Sequence, residues 1–175
     1  QALYAAQAVI QLVKRQGLDE IVAKRVDFLT GYQNAAYAAE YKAFVDKVRA
    51  AEAKLGSKTT LTEAVARYLF KLMAYKDEYE VARLHTDKAF TDQIAGMFEG
   101  EMGKDYQVVH HLAPPLIAKT NAKGELVKQR FGPWIRSGFS VLAKLKGLRG
   151  GAFDVFGKTE ERRMERSLIG EYEMT

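Results

Sequence analysis

From Leu3 to Phe98, apolar side chains return every three or four residues, the repeat that places them along one face of an α-helix. No other feature constrains the fold as much. Leu3, Ala6, Val9, Ile10, Leu12 and Val13 predict a first helix over 2–15, with Gln7, Gln11 and Lys14 on its polar side and Gly17 as its stop. Leu18, Val22, Val26 and Leu29 predict a second, which Thr30 and Gly31 are expected to interrupt or bend. Tyr37, Tyr41, Phe44, Val48, Ala51 and Leu55 predict a third, closed by Gly56.

The next start is marked by Thr60-Leu61-Thr62-Glu63, which has the spacing of a capping box. A long helix is expected to follow, to about Leu84, with Leu61, Val65, Tyr68, Leu72, Tyr75, Tyr79 and Ala82 on its apolar side. Glu63 with Arg67, and Lys76 with Glu80, would then pair across one turn of its exposed side. Phe90, Ile94, Met97 and Phe98 predict a shorter helix from near Asp87 to Gly100.

Between Glu101 and Phe131 the period is lost. Pro114-Pro115, the turn-like Asn121-Ala122-Lys123-Gly124 and β-branched flanks predict a loop with a small hairpin. Pro133 suits the first turn of a helix carrying Trp134, Ile135, Phe139 and Leu142 inward, and Gly147, Gly150 and Gly151 then loosen the chain. A last helix begins around Thr159, with Glu160 and Glu161 in the first turn, where the helix dipole favours negative charge, and Met164, Leu168 and Ile169 on its apolar face. The expected fold is therefore mostly α: a single multi-helix, bundle-like domain over 1–175, with a small irregular or β-hairpin segment around 101–132.

A chain of 175 residues can bury roughly 70% of its unfolded surface, enough for one sizeable core. It has no apolar run long enough to span a membrane and no signal-peptide pattern at its start, so a soluble, cytoplasmic location with no membrane partner is expected. Gln1 opens inside a segment that reads as helix, so the chain is expected to be a C-terminal fragment of a larger polypeptide. With 0 cysteines it has no thiolate with which to react or to hold an iron–sulfur cluster.

The net charge of +5 is unevenly placed. Up to Val127 the chain has 17 basic and 16 acidic residues, and from Lys128 onward it has 10 and 6. Arg149, Lys158, Arg162, Arg163 and Arg166 form the candidate docking or anion-binding surface. The bland reading is a solvated face on which Glu160, Glu161 and Glu165 neutralise part of that charge.

Other candidates are weaker. Gly157-Lys158-Thr159 before a helix looks like the end of a phosphate-binding loop, but five residues separate Gly151 from Gly157 where four are required. His110 and His111 would point to opposite faces of a strand and could not chelate one ion together. His85, near Asp87, could move protons but reads more simply as a helix-terminal residue. Asp77, Glu78 and Glu80 offer carboxylates for acid–base work, yet Asp77 and Glu78 would diverge by about 100° on a helix, so a charged face shared with Lys76 and Arg83 is expected. No catalytic, cofactor-binding or metal-binding residue is assigned.

Several stretches together resemble one family. They are Tyr68-Leu69-Phe70-Lys71-Leu72-Met73-Ala74-Tyr75-Lys76-Asp77-Glu78-Tyr79-Glu80-Val81-Ala82-Arg83-Leu84, His111-Leu112-Ala113-Pro114-Pro115-Leu116, Phe131-Gly132-Pro133-Trp134, Leu145-Lys146-Gly147-Leu148-Arg149-Gly150, Phe156-Gly157-Lys158-Thr159 and Glu161-Arg162-Arg163-Met164-Glu165-Arg166. In order and spacing these resemble the C-terminal domain of bacterial indolepyruvate ferredoxin oxidoreductase, as a beta subunit or a fused chain. His85 stands where the family more often has Tyr, and Gly151 and Val155 where it prefers Thr and Pro.

The resemblance implies a parent enzyme that decarboxylates indolepyruvate or another arylpyruvate, transfers the acyl group to coenzyme A and passes electrons to ferredoxin. Thiamine diphosphate and iron–sulfur clusters would carry that chemistry in other parts of the parent. For this chain it implies an accessory, non-catalytic domain with no cofactor of its own, bracing or docking the rest of the parent chain and the partner subunit, with ferredoxin and coenzyme A as further partners. The alternative is an independent helical module whose basic C-terminal face binds an acidic partner or, less favoured, nucleic acid. That binding would weaken steeply with salt.

Overall fold

The structure, a computed structural model, describes residues 17–113, 119–121, 123–124 and 126–175. The expected helix over 2–15 and Pro114-Pro115 lie outside the described residues. The chain is mostly helical, with short antiparallel strands confined to the segment after residue 100. It divides into two compact units, one of residues up to Tyr75 together with Met164–Thr175, the other of Lys76–Arg163.

The first unit is built on α1 (Leu18–Tyr32), α2 (Ala35–Glu52) and α3 (Thr60–Met73). Its core joins Ile21, Val22, Leu29 and Tyr32 of α1, Ala38, Tyr41 and Val45 of α2, and Val65, Ala66, Leu69 and Met73 of α3. Ile169 and Tyr172, from the second half of α7 (Glu160–Met174), pack against it. Gly31 does not interrupt α1, because the helix must continue to Tyr32 to bury that ring. α2 ends at Glu52, short of the expected Leu55, which is 88% exposed.

Buried tyrosines are tolerable only when their hydroxyls find acceptors. Tyr32 donates to the Tyr75 carbonyl at 2.9 Å, Tyr37 to Met73 at 3.0 Å and Tyr41 to Ala66 at 2.8 Å. Two of these acceptors lie at or just beyond the end of α3, where carbonyls have no intrahelical donor. Burial pushes the Tyr41 hydroxyl up to about 12, despite the nearby Arg25 charge.

The capping box at Thr60 does not form. The start of α3 is capped from outside: the Glu52 carboxylate accepts the Leu61 and Thr62 amides, both at 2.8 Å, and the Thr62 hydroxyl at 2.5 Å. These bonds, led by the Thr62 hydroxyl, hold the Glu52 carboxyl below its usual range. The α3 stripe is also offset from the expected one. Thr62, Val65, Ala66, Leu69 and Met73 face inward, while Leu61 and Tyr68 are exposed.

The long helix expected from Thr60 to Leu84 is two helices. Ala74 leaves helical geometry, and Asp77 restarts the chain as N-cap of α4 (Glu78–Thr86), accepting the Glu80 amide at 2.8 Å. A short acidic side chain that can cap its own downstream amide competes with helix continuation. Asp87 does the same for α5 (Lys88–Met97), accepting the Ala89 amide.

The remainder of the second unit begins with two antiparallel pairs. β1 (His110–Leu112) pairs with β4 (Gln129–Phe131) in the register His110 to Phe131, and β2 (Lys119–Thr120) pairs with β3 (Leu126–Val127). Between β2 and β3 the Asn121 carbonyl accepts the Gly124 amide, with Gly124 at φ +78. This is the small hairpin the sequence announces, nested within the β1–β4 pair. Then come α6 (Ile135–Lys144), a 3-10 turn over Leu145–Leu148 and the loop leading into α7. α6 packs along α4 through Phe139, which is buried. Trp134, expected to point inward, is 67% exposed and immediately precedes α6, its ring resting on Phe131.

Candidate functional site

The charged residues of the second unit form an interior network rather than a solvated face. Arg149 grips Asp77 with two parallel bonds, Nε to Oδ2 at 2.5 Å and Nη2 to Oδ1 at 2.8 Å, and the two side chains are 2% and 3% exposed. The Arg149 guanidinium also lies over the Tyr79 ring, 5.6 Å from its centroid. One turn along α4, Glu80 takes a second fork from Arg83, both bonds at 2.7 Å. That fork holds the Arg83 guanidinium above its ordinary value. Lys76 and Glu80, expected to pair on the helix surface, therefore have different settings: Glu80 is buried and Lys76 is exposed.

Asp154 organises the loop after the 3-10 turn. Its carboxylate accepts the amides of Gly150 at 2.7 Å, Gly157 at 2.9 Å and Phe156 at 3.2 Å, and the Tyr79 hydroxyl at 3.2 Å. Burial alone would raise its pKa; the donors, led by the Gly150 and Gly157 amides, outweigh burial and hold it low. Burial first, then the Asp154 charge, pushes the Tyr79 hydroxyl up to about 12. The chain can turn this tightly because Gly150 adopts φ +74. The Gly157 amide, which a phosphate loop would offer to a ligand, is given instead to an internal carboxylate.

Of the candidate docking residues, Arg149 is thus buried in an ion pair. Arg162 is mostly buried, 3.7 Å from Glu78 and donating to the Lys76 carbonyl. Lys158 and Arg163 are exposed, and Arg166 is half-buried on α7. The basic surface is therefore smaller than the sequence suggests. Beside Glu78 and Arg162 lies an open groove of about 370 Å³, floored by Val81, Phe139, Leu142 and Phe156. Burial, only partly opposed by Arg162, raises the Glu78 carboxyl above its usual range.

A second concavity brings together two histidines that the sequence keeps 25 residues apart. The ring of His85, at the end of α4, lies 4.8 Å from that of His110 on β1, edge to face at 87°. Both pack on Phe139, and His85 also meets Phe90. Burial lowers both imidazoles, and cationic neighbours lower them further: His110 and Lys76 act on His85, and Arg136 on His110. His111 is exposed on the opposite side of β1, as strand alternation requires. Asp87, His85's neighbour in sequence, is engaged instead with the α5 amides and lies 4.0 Å from Arg83. Among the described residues, no three His, Asp or Glu side chains converge as metal ligands would.

The fold and the site define a mostly helical chain whose second unit is held by buried ion pairs around two small concavities. The chain belongs to the family of unknown function DUF6537, whose model matches residues 18–175. No curated protein and no solved structure matches it. Among the described residues, no helix is long and apolar enough to cross a membrane.

Proposed function

We propose that this chain is an accessory, non-catalytic domain of a cytoplasmic indolepyruvate ferredoxin oxidoreductase, and that it braces the parent polypeptide through α6. The observation that carries the reading is a group of exposed apolar side chains on and at the two ends of that helix. Val141 lies on α6, Trp134 is the residue just before it and Leu145 opens the 3-10 turn just after it, and they are 61%, 67% and 43% exposed. Gly138 sits between them with open space above its Cα, and Phe139 and Leu142 point the other way. Large apolar groups exposed together mark a surface that another protein covers.

A second line of support is where the family-like stretches fall. Those around Asp77-Glu78-Tyr79-Glu80, Leu148-Arg149-Gly150 and Phe156-Gly157 meet in the interior network. Their side chains are occupied in holding one another, which suits a scaffold. The thiamine diphosphate and iron–sulfur chemistry of such an enzyme belongs, on this reading, to other parts of the parent.

The test is arylpyruvate- and coenzyme A-dependent electron transfer, comparing the intact parent with one lacking this domain. Loss of assembly supports bracing. Intact assembly with reduction lost for ferredoxin but kept for a small acceptor makes the domain a docking surface for ferredoxin. No change in either, or no such activity in the intact parent, overturns the proposal.

A further inference from the structure

The cavity at the two histidines has the size and chemistry of a binding site for one small anion. It measures about 50 Å³, is lined by α4, α5, β1, the first turn of α6 and the loop around Met102, and opens to solvent on one side. A water occupies roughly 10–15 Å³ on this scale, and a benzene ring needs a cavity of about 150 Å³. The space therefore fits about four non-hydrogen atoms. An aromatic ring is too large.

The walls specify what those atoms are. The ionisable groups lining the cavity are His85, His110 and Arg136, with no carboxylate among them. Lys76 bears on His85 and Arg136 on His110, so the permanent charges felt by the two imidazoles are cationic and favour an anion. His85 Nδ1 is buried and makes no hydrogen bond to any described residue. A buried polar atom left unmatched is costly, and its partner is expected to be a bound group. Ile94 and Val108 line the same space and present only carbon, which suits a ligand with an apolar end. A cation is disfavoured by Arg136, and two nitrogens are too few for a closed metal site.

We propose that this cavity binds a short aliphatic carboxylate of acetate size, its oxygens toward His85, His110 and Arg136 and its methyl group toward Ile94 and Val108. The site is independent of the α6 face, so failure of either leaves the other standing.

The three histidines supply the test and its control. Sodium acetate is titrated into the chain at neutral pH and constant ionic strength, against sodium chloride, and the histidine ring carbon–proton resonances are followed by NMR. The expected result is saturable movement of the His85 and His110 signals, with the exposed His111 signal following the chloride control. Arg136→Gln, at an exposed position, should abolish saturation without changing the melting temperature. Benzoate should fail to produce it. Parallel, unsaturable drift of all three histidines would overturn the proposal, as would saturation that survives Arg136→Gln or is matched by benzoate.

Discussion

Replacing Arg149 by Met should be among the most damaging single changes in the second unit. The substitution keeps much of the side-chain volume but removes both bonds to Asp77, at 2.5 and 2.8 Å, and strands a carboxylate that is 3% exposed. Among the described residues, Asp77 would then retain the Glu80 amide as its donor. Breaking a buried ion pair from one side costs about 3–5 kcal/mol, because the remaining charge is neither solvated nor paired. Against a total stability of about 5–15 kcal/mol, that is a large share. The companion change Asp77→Asn keeps an oxygen for the Glu80 amide and removes the charge. Arg149→Met with Asp77→Asn should therefore be more stable than the sum of the single losses by about 1–3 kcal/mol. Urea unfolding by far-ultraviolet circular dichroism measures each term, with fluorescence of the single Trp134 reporting on the second unit. Lys144→Met, at an exposed site, is the control and should change stability by less than about 0.5 kcal/mol. A loss below about 1 kcal/mol for Arg149→Met, or strict additivity in the double variant, would refute the claim that a desolvated pair anchors this unit.

Glu52→Gln should lower the melting temperature and speed hydrogen exchange at Leu61 and Thr62. Because the folded Glu52 pKa is depressed, its contribution is present above the ordinary glutamate range and lost as pH falls through the folded value, so wild type and variant should converge in acid. Asp154→Ala should remove the acceptor of the Gly150 amide, costing about 1–3 kcal/mol where water cannot replace it; its folded pKa is also low, so this difference too should shrink on acidification. In an alkaline spectrophotometric titration, Tyr41 and Tyr79 should ionise near 12, and Tyr41→Phe should remove one late step. Raised folded values mean their contribution is complete below about pH 10 and disappears as pH rises through about 12, so stability should fall over that window.

The helical architecture is legible because amphipathic period is a local property. Tyr41, Val65 and Phe139 advertise their burial through their neighbours three and four residues away. What the sequence conceals are bonds between distant positions. Glu52 reads as the polar side of α2, and only the fold brings it onto the α3 amides. Thr60-Leu61-Thr62-Glu63 carries a local start signal, and that stronger nonlocal acceptor supersedes it. Asp77 and Arg149 each read as surface charge because 72 residues separate them.

Asp154 was the one position whose role could have been suspected from sequence, since an aspartate between Gly150-Gly151 and Gly157 has the composition of a side-chain-capped turn. His85 and His110 look unremarkable singly, and their pairing depends on α4 and β1 meeting around Phe139. The exposure of Trp134 reverses the usual expectation for that residue. An apolar period fixes which residues share a face but not whether the chain itself covers that face.

The exposed apolar residues at α6 give the most direct test. Trp134→Glu, made in the intact parent and in this chain alone, should leave the chain's own melting temperature nearly unchanged, since Trp134 is largely exposed. In the parent it should weaken assembly, measured by sedimentation velocity. Normal assembly of the parent carrying Trp134→Glu, with Val141→Glu behaving likewise, would contradict a bracing role for α6.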